Sequence, residues 1–203
     1  MTIILHKGDL PDGLDLGASV AIDTETLGLH PHRDRLCLVQ LSAGDGDAHL
    51  VQIPADNIDA PNLRRLIDDQ AILKIFHFGR FDIAMLNTYL GTDCRPVFCT
   101  KIASRLTRTY TDRHGLKDLC REMLGVDLSK AQQSSDWGAE TLSKEQQTYA
   151  ASDVLHLHDL KKIFVARLAR ENRTELAQSC FDFLPTRAAI DLAGWPDEDI
   201  FSH

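Results

Sequence analysis

The run Ala21-Ile22-Asp23-Thr24-Glu25-Thr26-Leu27-Gly28-Leu29 carries two carboxylates two residues apart at the end of an apolar stretch. Residues i and i+2 of a strand project from one face, so Asp23 and Glu25 would point the same way. Two bare carboxylates that close repel, and each is costly to remove from water. A positive partner between them is expected. Two further acids stand where apolar residues would be anticipated: Asp82, in His77-Phe78-Gly79-Arg80-Phe81-Asp82, and Asp153, in Tyr149-Ala150-Ala151-Ser152-Asp153-Val154. Tyr149 and Asp153, at i and i+4, share one helix face. Hard oxygen ligands of this kind suit Mg²⁺ or Mn²⁺ rather than zinc. Four carboxylates can hold two such ions about 3.5–4 Å apart, an arrangement that cleaves phosphodiesters by activating a water and stabilising the leaving 3′-oxygen. Tyr149, one helical turn from a ligand, would orient that water.

Taken singly, each element is weak. An Asp-x-Glu is common, an acid in a first helical turn often only complements the helix dipole, and Tyr and Asp at i, i+4 are often a surface pair. The ordered combination is specific: a strand-borne Asp-x-Glu, then His77 to Asp82 about 55 residues on, then Tyr149 to Asp153 about 70 beyond that.

The elements that must position these groups follow from periodicity. Apolar runs of strand length occur at Ile3–Leu5, Val20–Ile22, Leu36–Leu41, Leu50–Ile53 and Ile72–Phe76, with turn signals at Pro11-Asp12-Gly13, His30-Pro31-His32 and Gly44-Asp45-Gly46-Asp47. The chain is therefore expected to begin with a β-meander. Helical spacing covers Asn62–Asp69, a segment through Phe81, Met85 and Tyr89, then Lys101–Leu106, Leu116–Leu124 and Lys144–Glu171. Ser143, with Gln146 three residues on, supplies an N-cap. His156 and His158, at i and i+2, are expected to face solvent. Strands first, then helices interleaved with a late strand, indicate an α/β or α+β fold on a mixed sheet.

Length and composition, 203 residues with 43% hydrophobic, support one core and one domain over residues 1–203. With no signal-like apolar N-terminus and no uncharged run of about 18 residues, a soluble, unprocessed protein with no membrane partner is expected. The five cysteines (Cys37, Cys94, Cys99, Cys120, Cys180) form no C-x-x-C pair and read as reduced thiols of a cytoplasmic protein. Net charge is −8, the wrong sign for gripping a long phosphate backbone. It is uneven: Lys101–Lys117 holds five Lys or Arg against one Asp, Lys161–Arg173 five against one Glu, and the chain from Glu175 on six acids against one Arg. The basic stretches read either as solvated helix faces or as contacts for a small phosphate-bearing substrate.

The acidic motifs resemble those of the DEDD superfamily of 3′→5′ exonucleases, in the tyrosine-bearing (DEDDy) branch typified by RNase D. Leu38-Val39-Gln40-Leu41-Ser42, His114-Gly115-Leu116-Lys117-Asp118-Leu119 and Lys130-Ala131-Gln132-Gln133-Ser134-Ser135-Asp136-Trp137 extend the resemblance, which covers about residues 18–165. It implies an RNase H-like (DnaQ-like) fold with a five-stranded mixed β-sheet flanked by helices. It also implies two divalent ions, Mg²⁺ or Mn²⁺, on Asp23, Glu25, Asp82 and Asp153. The match to Asp23 would bridge both ions, the match to Tyr149 would orient the water, and nucleoside 5′-monophosphates would be released. RNase D proper adds helical HRDC domains; here a C-terminal helix and tail of about residues 166–203 leave no room for one.

The compact length, the Asp23–Leu29 stretch and the tail Gly194–His203 resemble the nano-RNase C group. That resemblance implies cleavage of very short oligoribonucleotides, dinucleotides above all, in the last step of RNA decay, by a ring-shaped homo-octamer. Leu29 is the candidate wedge between two bases, the other reading being ordinary packing. His77 would donate to a ribose or phosphate, or be a satisfied core residue. Thr24, Phe81, Gln133 and Trp137 are further candidates to contact substrate, with Ser135 beside them, and Trp137 reads equally as core. Arg105, with Arg108 and Arg113, is a candidate for the terminal phosphate. The acidic tail with Trp195 and Phe201 would dock on a neighbouring subunit or pack on its own domain. A broader 3′→5′ exonuclease acting on RNA or DNA is the second reading, and a non-catalytic RNA- or protein-binding domain the third.

Overall fold

Leu36–Ser42 is buried at every position, and Val20, Ala21 and Ile22 have no exposed surface, so these apolar runs become strands covered on both faces. The computed structural model describes residues 2–56, 58–129 and 131–203, so Lys130 of the Lys130–Trp137 stretch lies outside the described residues. The strands are β1 (Ile3–Lys7), β2 (Ser19–Thr26), β3 (Leu36–Ser42), β4 (Ala48–Gln52), β5 (Leu73–Phe76) and β6 (Val97–Cys99). They form one mixed sheet in the order β1-β4-β3-β2-β5-β6. Six strands replace the expected five: β6 is three residues long and too short to show a period. The meander is β2-β3-β4, antiparallel throughout, whereas β1 closes the far edge parallel to β4.

The helices are α1 (Pro61–Asp68), α2 (Arg80–Leu90), α3 (Thr100–Thr107), α4 (Leu116–Leu119) leading into a π-helical turn (Cys120–Leu124), α5 (Lys144–Leu155), α6 (Leu157–Arg170) and α7 (Thr174–Leu192). The long helix expected over Lys144–Glu171 is two helices meeting at His156. α5 crosses β2, β3 and β4, while α6 packs on α3 and β5, and one straight helix cannot do both. Ser143 and Gln146 form the reciprocal cap that starts α5, with bonds of 3.2 and 2.9 Å. His156 and His158 do not face solvent. Both are half-buried at this junction, and His158 Nε2 lies 3.2 Å from Ser19 Oγ on β2. No helix among the described residues is long and apolar enough to cross a membrane.

Two features fix β5 and the turn that follows it. Lys74 is fully buried, and its ammonium donates to the carbonyls of Asp69, Ile72 and Arg95, satisfying all three of its protons. The chain then turns within three residues: Phe78 takes φ +66°, an unfavourable conformation for a bulky side chain, and Gly79 caps α2. A Cβ at Gly79 would meet Phe76 Cβ at 2.6 Å. Since Phe76 is core, the turn would have to move instead, carrying Asp82 with it. Gly79→Ala is therefore expected to cost about 1–3 kcal/mol of stability and to reduce any hydrolytic activity more than tenfold. Thermal melts and steady-state assays check this; an unchanged melting temperature would refute the steric argument.

Candidate active site

Strands β2 and β5 run parallel but pair only from Ser19–Ala21 to Leu73–Ile75. Beyond Ala21 the two diverge, and the chain leaves them in opposite directions across the sheet. The crevice at the carboxyl ends of such a strand pair is where open α/β sheets bind ligands. Asp23 and Glu25 project into it from β2, and α5 lies across the same face. Asp23, Glu25 and Asp153 each offer a carboxylate oxygen, and these atoms lie within 4.8 Å of one another. Asp82 enters from the first turn of α2, where the helix dipole favours a negative charge. It lies outside that trio, and its Oδ1 accepts a 2.6 Å hydrogen bond from Thr24 Oγ1.

The electrostatics follow from burial and mutual repulsion. Asp23 is held well above the usual carboxylate range, first by burial, then by Asp82, Asp153 and Glu25, with a backbone hydrogen bond from Thr24 opposing. Glu25 is pushed up to about 9 by burial, Asp153 and Asp82. Asp82 and Asp153 each rise to about 7, chiefly by burial; the Thr24 hydroxyl opposes the rise at Asp82 and the Tyr149 hydroxyl opposes it at Asp153. Burial first, then Asp153, Glu25 and Asp23, keep the Tyr149 phenol protonated. An all-oxygen, acid-only donor set that resists ionisation by itself fits a hard divalent cation, Mg²⁺ or Mn²⁺, and offers no soft ligand.

His77 follows β5, its Nδ1 2.9 Å from Thr100 Oγ1. Burial, then Lys101, pushes it down to about 3, so the ring is neutral at physiological pH. Leu29 is 79% exposed. Its loop is stapled by a 2.6 Å bond from Thr26 Oγ1 to the Gly28 carbonyl and a 3.0 Å bond from His30 N to Asp34. A Cβ at Gly28 would meet the Asp34 carboxylate, so that side chain would have to shift and give up its bond to His30 N.

The other expected contacts divide. Arg105 is exposed and lines a cavity with Phe78, Arg80 and Lys101. Arg108 has no exposed surface and is committed to Ser104, the Arg113 carbonyl and Glu122, a structural role that rules it out as a phosphate contact. Arg113 is exposed. Trp137 is a core residue, 3% exposed, with its ring 6.0 Å from that of Tyr149. Thr24 is buried and its hydroxyl serves Asp82. Phe81 is half-buried against the main core. Gln133 is exposed, while its neighbour Gln132 lines a cavity beside Tyr149, and Ser135 bonds Gln132. The tail packs on its own chain: Arg187 donates to the carbonyls of Trp195, Pro196 and Glu198, Arg80 to Asp191 and Pro196, and Phe201 lies against Phe183. Sequence reasoning missed Lys101, whose ammonium sits 3.9 Å from the centre of the Phe78 ring. The signal for it was its place at the head of the basic stretch Lys101–Lys117. All five cysteines are free, four of them buried.

Residues 10–169 match a family described as 3′-5′ exonuclease. Ribonuclease D of Gluconacetobacter diazotrophicus is 35% identical over 160 residues, which are 79% of this chain and 40% of that protein. The chain thus spans less than half the length of that curated relative. The structure of Brucella melitensis NrnC with bound Mg²⁺ is 59% identical, with a TM-score of 0.96 and full coverage of both chains. Brucella melitensis NrnC bound to pGG is 60% identical, with a TM-score of 0.97, covering 100% of this chain and 99% of that one.

Carboxylates raised in the folded state make the metal-free protein hold extra protons relative to the unfolded chain. The contribution is favourable below about pH 4, where both states are protonated, and is lost as pH rises through about 7 and 9, the positions of Asp82, Asp153 and Glu25. In EDTA the melting temperature should therefore fall from pH 5 to pH 9, and Mg²⁺ should restore it most at the alkaline end. Asp23→Asn removes one ionisable carboxyl group from the cluster and should melt higher than wild type at pH 8 in EDTA. Differential scanning fluorimetry reads both effects; a variant less stable than wild type would count against the cluster as the source.

Proposed function

Because the chain belongs to the 3′-5′ exonuclease family, we propose that it hydrolyses short oligoribonucleotides from the 3′ end, dinucleotides above all. The products are nucleoside 5′-monophosphates, and the step is the last in RNA decay. The observation that carries this reading is the convergence of Asp23, Glu25 and Asp153 under Tyr149, with Asp82 beside them. The whole unit, residues 1–203, acts as one domain, in the cytoplasm, where its thiols stay reduced.

In this reading Asp23, Glu25, Asp82 and Asp153 would hold two divalent ions, Mg²⁺ or Mn²⁺. Bound there, the ions supply the positive charge that water activation and 3′-oxygen departure require. The Tyr149 hydroxyl orients the attacking water, and its raised pKa keeps that proton in place. Thr24 holds Asp82 in its rotamer. Neutral His77 meets the ribose end of the substrate, and Lys101 and Arg105 meet the terminal phosphate, flanked by the exposed Phe78. Leu29 stands out from its stapled loop and separates the two bases. Net charge −8 supports a substrate of one or two phosphates over a long RNA.

Support for the dinucleotide comes from the pGG seen in the Brucella protein, whose chain this one matches end to end. An oligomer, a ring-shaped octamer, completes the reading. Phe201, Leu176, Val165 and Trp195 are 77%, 55%, 49% and 48% exposed on α6, α7 and the tail, and are the apolar side chains that such an assembly would cover.

The test measures kcat/KM on RNAs of two to seven nucleotides with Mg²⁺ or Mn²⁺. A clear maximum at two is expected, and similar values across lengths would sink the dinucleotide preference. Asp23→Ala should abolish turnover. Leu29→Ala should lower kcat/KM on dinucleotides by roughly tenfold, in line with about 1–3 kcal/mol per stacked base, with no change in melting temperature. Light scattering that finds a monomer would remove the oligomer from the reading.

A further inference from the structure

Gln40 sits in the middle of β3 with no exposed surface, and neither its Nε2 nor its Oε1 has a hydrogen-bond partner. A side-chain amide carries two donors and two acceptor lone pairs, and a buried one left unpaired is disfavoured. Such a group is retained against selection for stability only where something else needs it. Its position is specific. In the antiparallel β2–β3 ladder Gln40 is the direct partner of Asp23, so the two side chains leave the same face of the sheet as neighbours. On its other side Gln40 faces Leu50 of β4. Trp137 lies over the same layer, packed with Leu38 and Leu50, and its indole N–H is also buried without a partner.

We infer that Gln40 is a positioning residue for Asp23: in the metal-loaded site its Nε2–H₂ donates to the carboxylate that stands opposite it in the β2–β3 ladder. The inference rests on the two-ion reading above. The amide makes no hydrogen bond in the structure, and the strand register sets it directly across the ladder from the Asp23 carboxyl group. Hydrogen bonds to a ligand carboxylate fix its orientation and tune the affinity of the site. Gln40 touches neither the substrate nor the reacting phosphate in this arrangement; it acts through Asp23.

Gln40→Met keeps the volume and removes both polar ends, which separates a positioning amide from an ordinary core residue. The expected result is a metal-free melting temperature equal to or above wild type, Mn²⁺ binding weakened about 10–100-fold by electron paramagnetic resonance titration, and kcat reduced with substrate KM unchanged. Mn²⁺ affinity within about twofold of wild type would overturn the inference. Binding is read without substrate, so a wild-type chain that binds Mn²⁺ and leaves oligonucleotides intact fails the functional reading alone. A crystal of the wild-type chain with Mg²⁺ supplies a measurement that needs no variant: Gln40 Nε2 should lie within about 3.2 Å of an Asp23 oxygen, and an amide turned away from Asp23 would overturn the inference.

Discussion

Like charges held together out of water constrain this structure more than any other interaction. Asp23, Glu25, Asp82 and Asp153 come from one strand and two helices that are distant in the chain; each is pushed toward its neutral form by burial, and Asp23, Glu25 and Asp153 also by acidic neighbours. Nothing in the repulsion favours their meeting. The frame must impose it, and its rigidity comes from elements that carry no chemistry: the fully buried β3, the reciprocal cap on α5, and the Lys74 ammonium locking the start of β5.

The crevice also shows how one short segment serves two faces. Within Asp23-Thr24-Glu25 the odd positions look toward α5 and the even one braces α2 through Asp82. A strand's alternation thus lets β2 hold both halves of the cluster. The lost pairing with β5 beyond Ala21 makes the opening through which α2 delivers its acid.

Much of this was legible from residue types alone, for local reasons. Asp23 and Glu25 follow from strand alternation, Tyr149 with Asp153 from helical spacing, and the start of α5 from the Ser143–Gln146 pair. Five strands stood out because each is long enough to show an apolar run, whereas β6, at three residues, is not. What depended on distant partners stayed hidden. The parallel seat of β1 beside β4 is set by pairing across more than 40 residues. Arg108 reads as a surface cation until Glu122 and the Arg113 carbonyl surround it. The break at His156 comes from what α5 and α6 pack against, not from a breaker in the sequence. Thr24 sits between two acids in the chain, and the same alternation turns its hydroxyl to a third, Asp82.

Under the proposed function, the loop that carries Leu29 has a consequence for how a very small substrate would be held. Its backbone is tied at Thr26, Gly28, His30 and Asp34 before anything binds, so the conformational entropy of that segment is already lost when the chain folds. A ligand of a few dozen atoms can make only a limited number of contacts, and much of their free energy would disappear if a flexible loop had to be ordered each time. Here the ordering cost is charged to folding rather than to binding. With the apolar tip already ordered, weak, sequence-tolerant contacts would suffice for the proposed substrate.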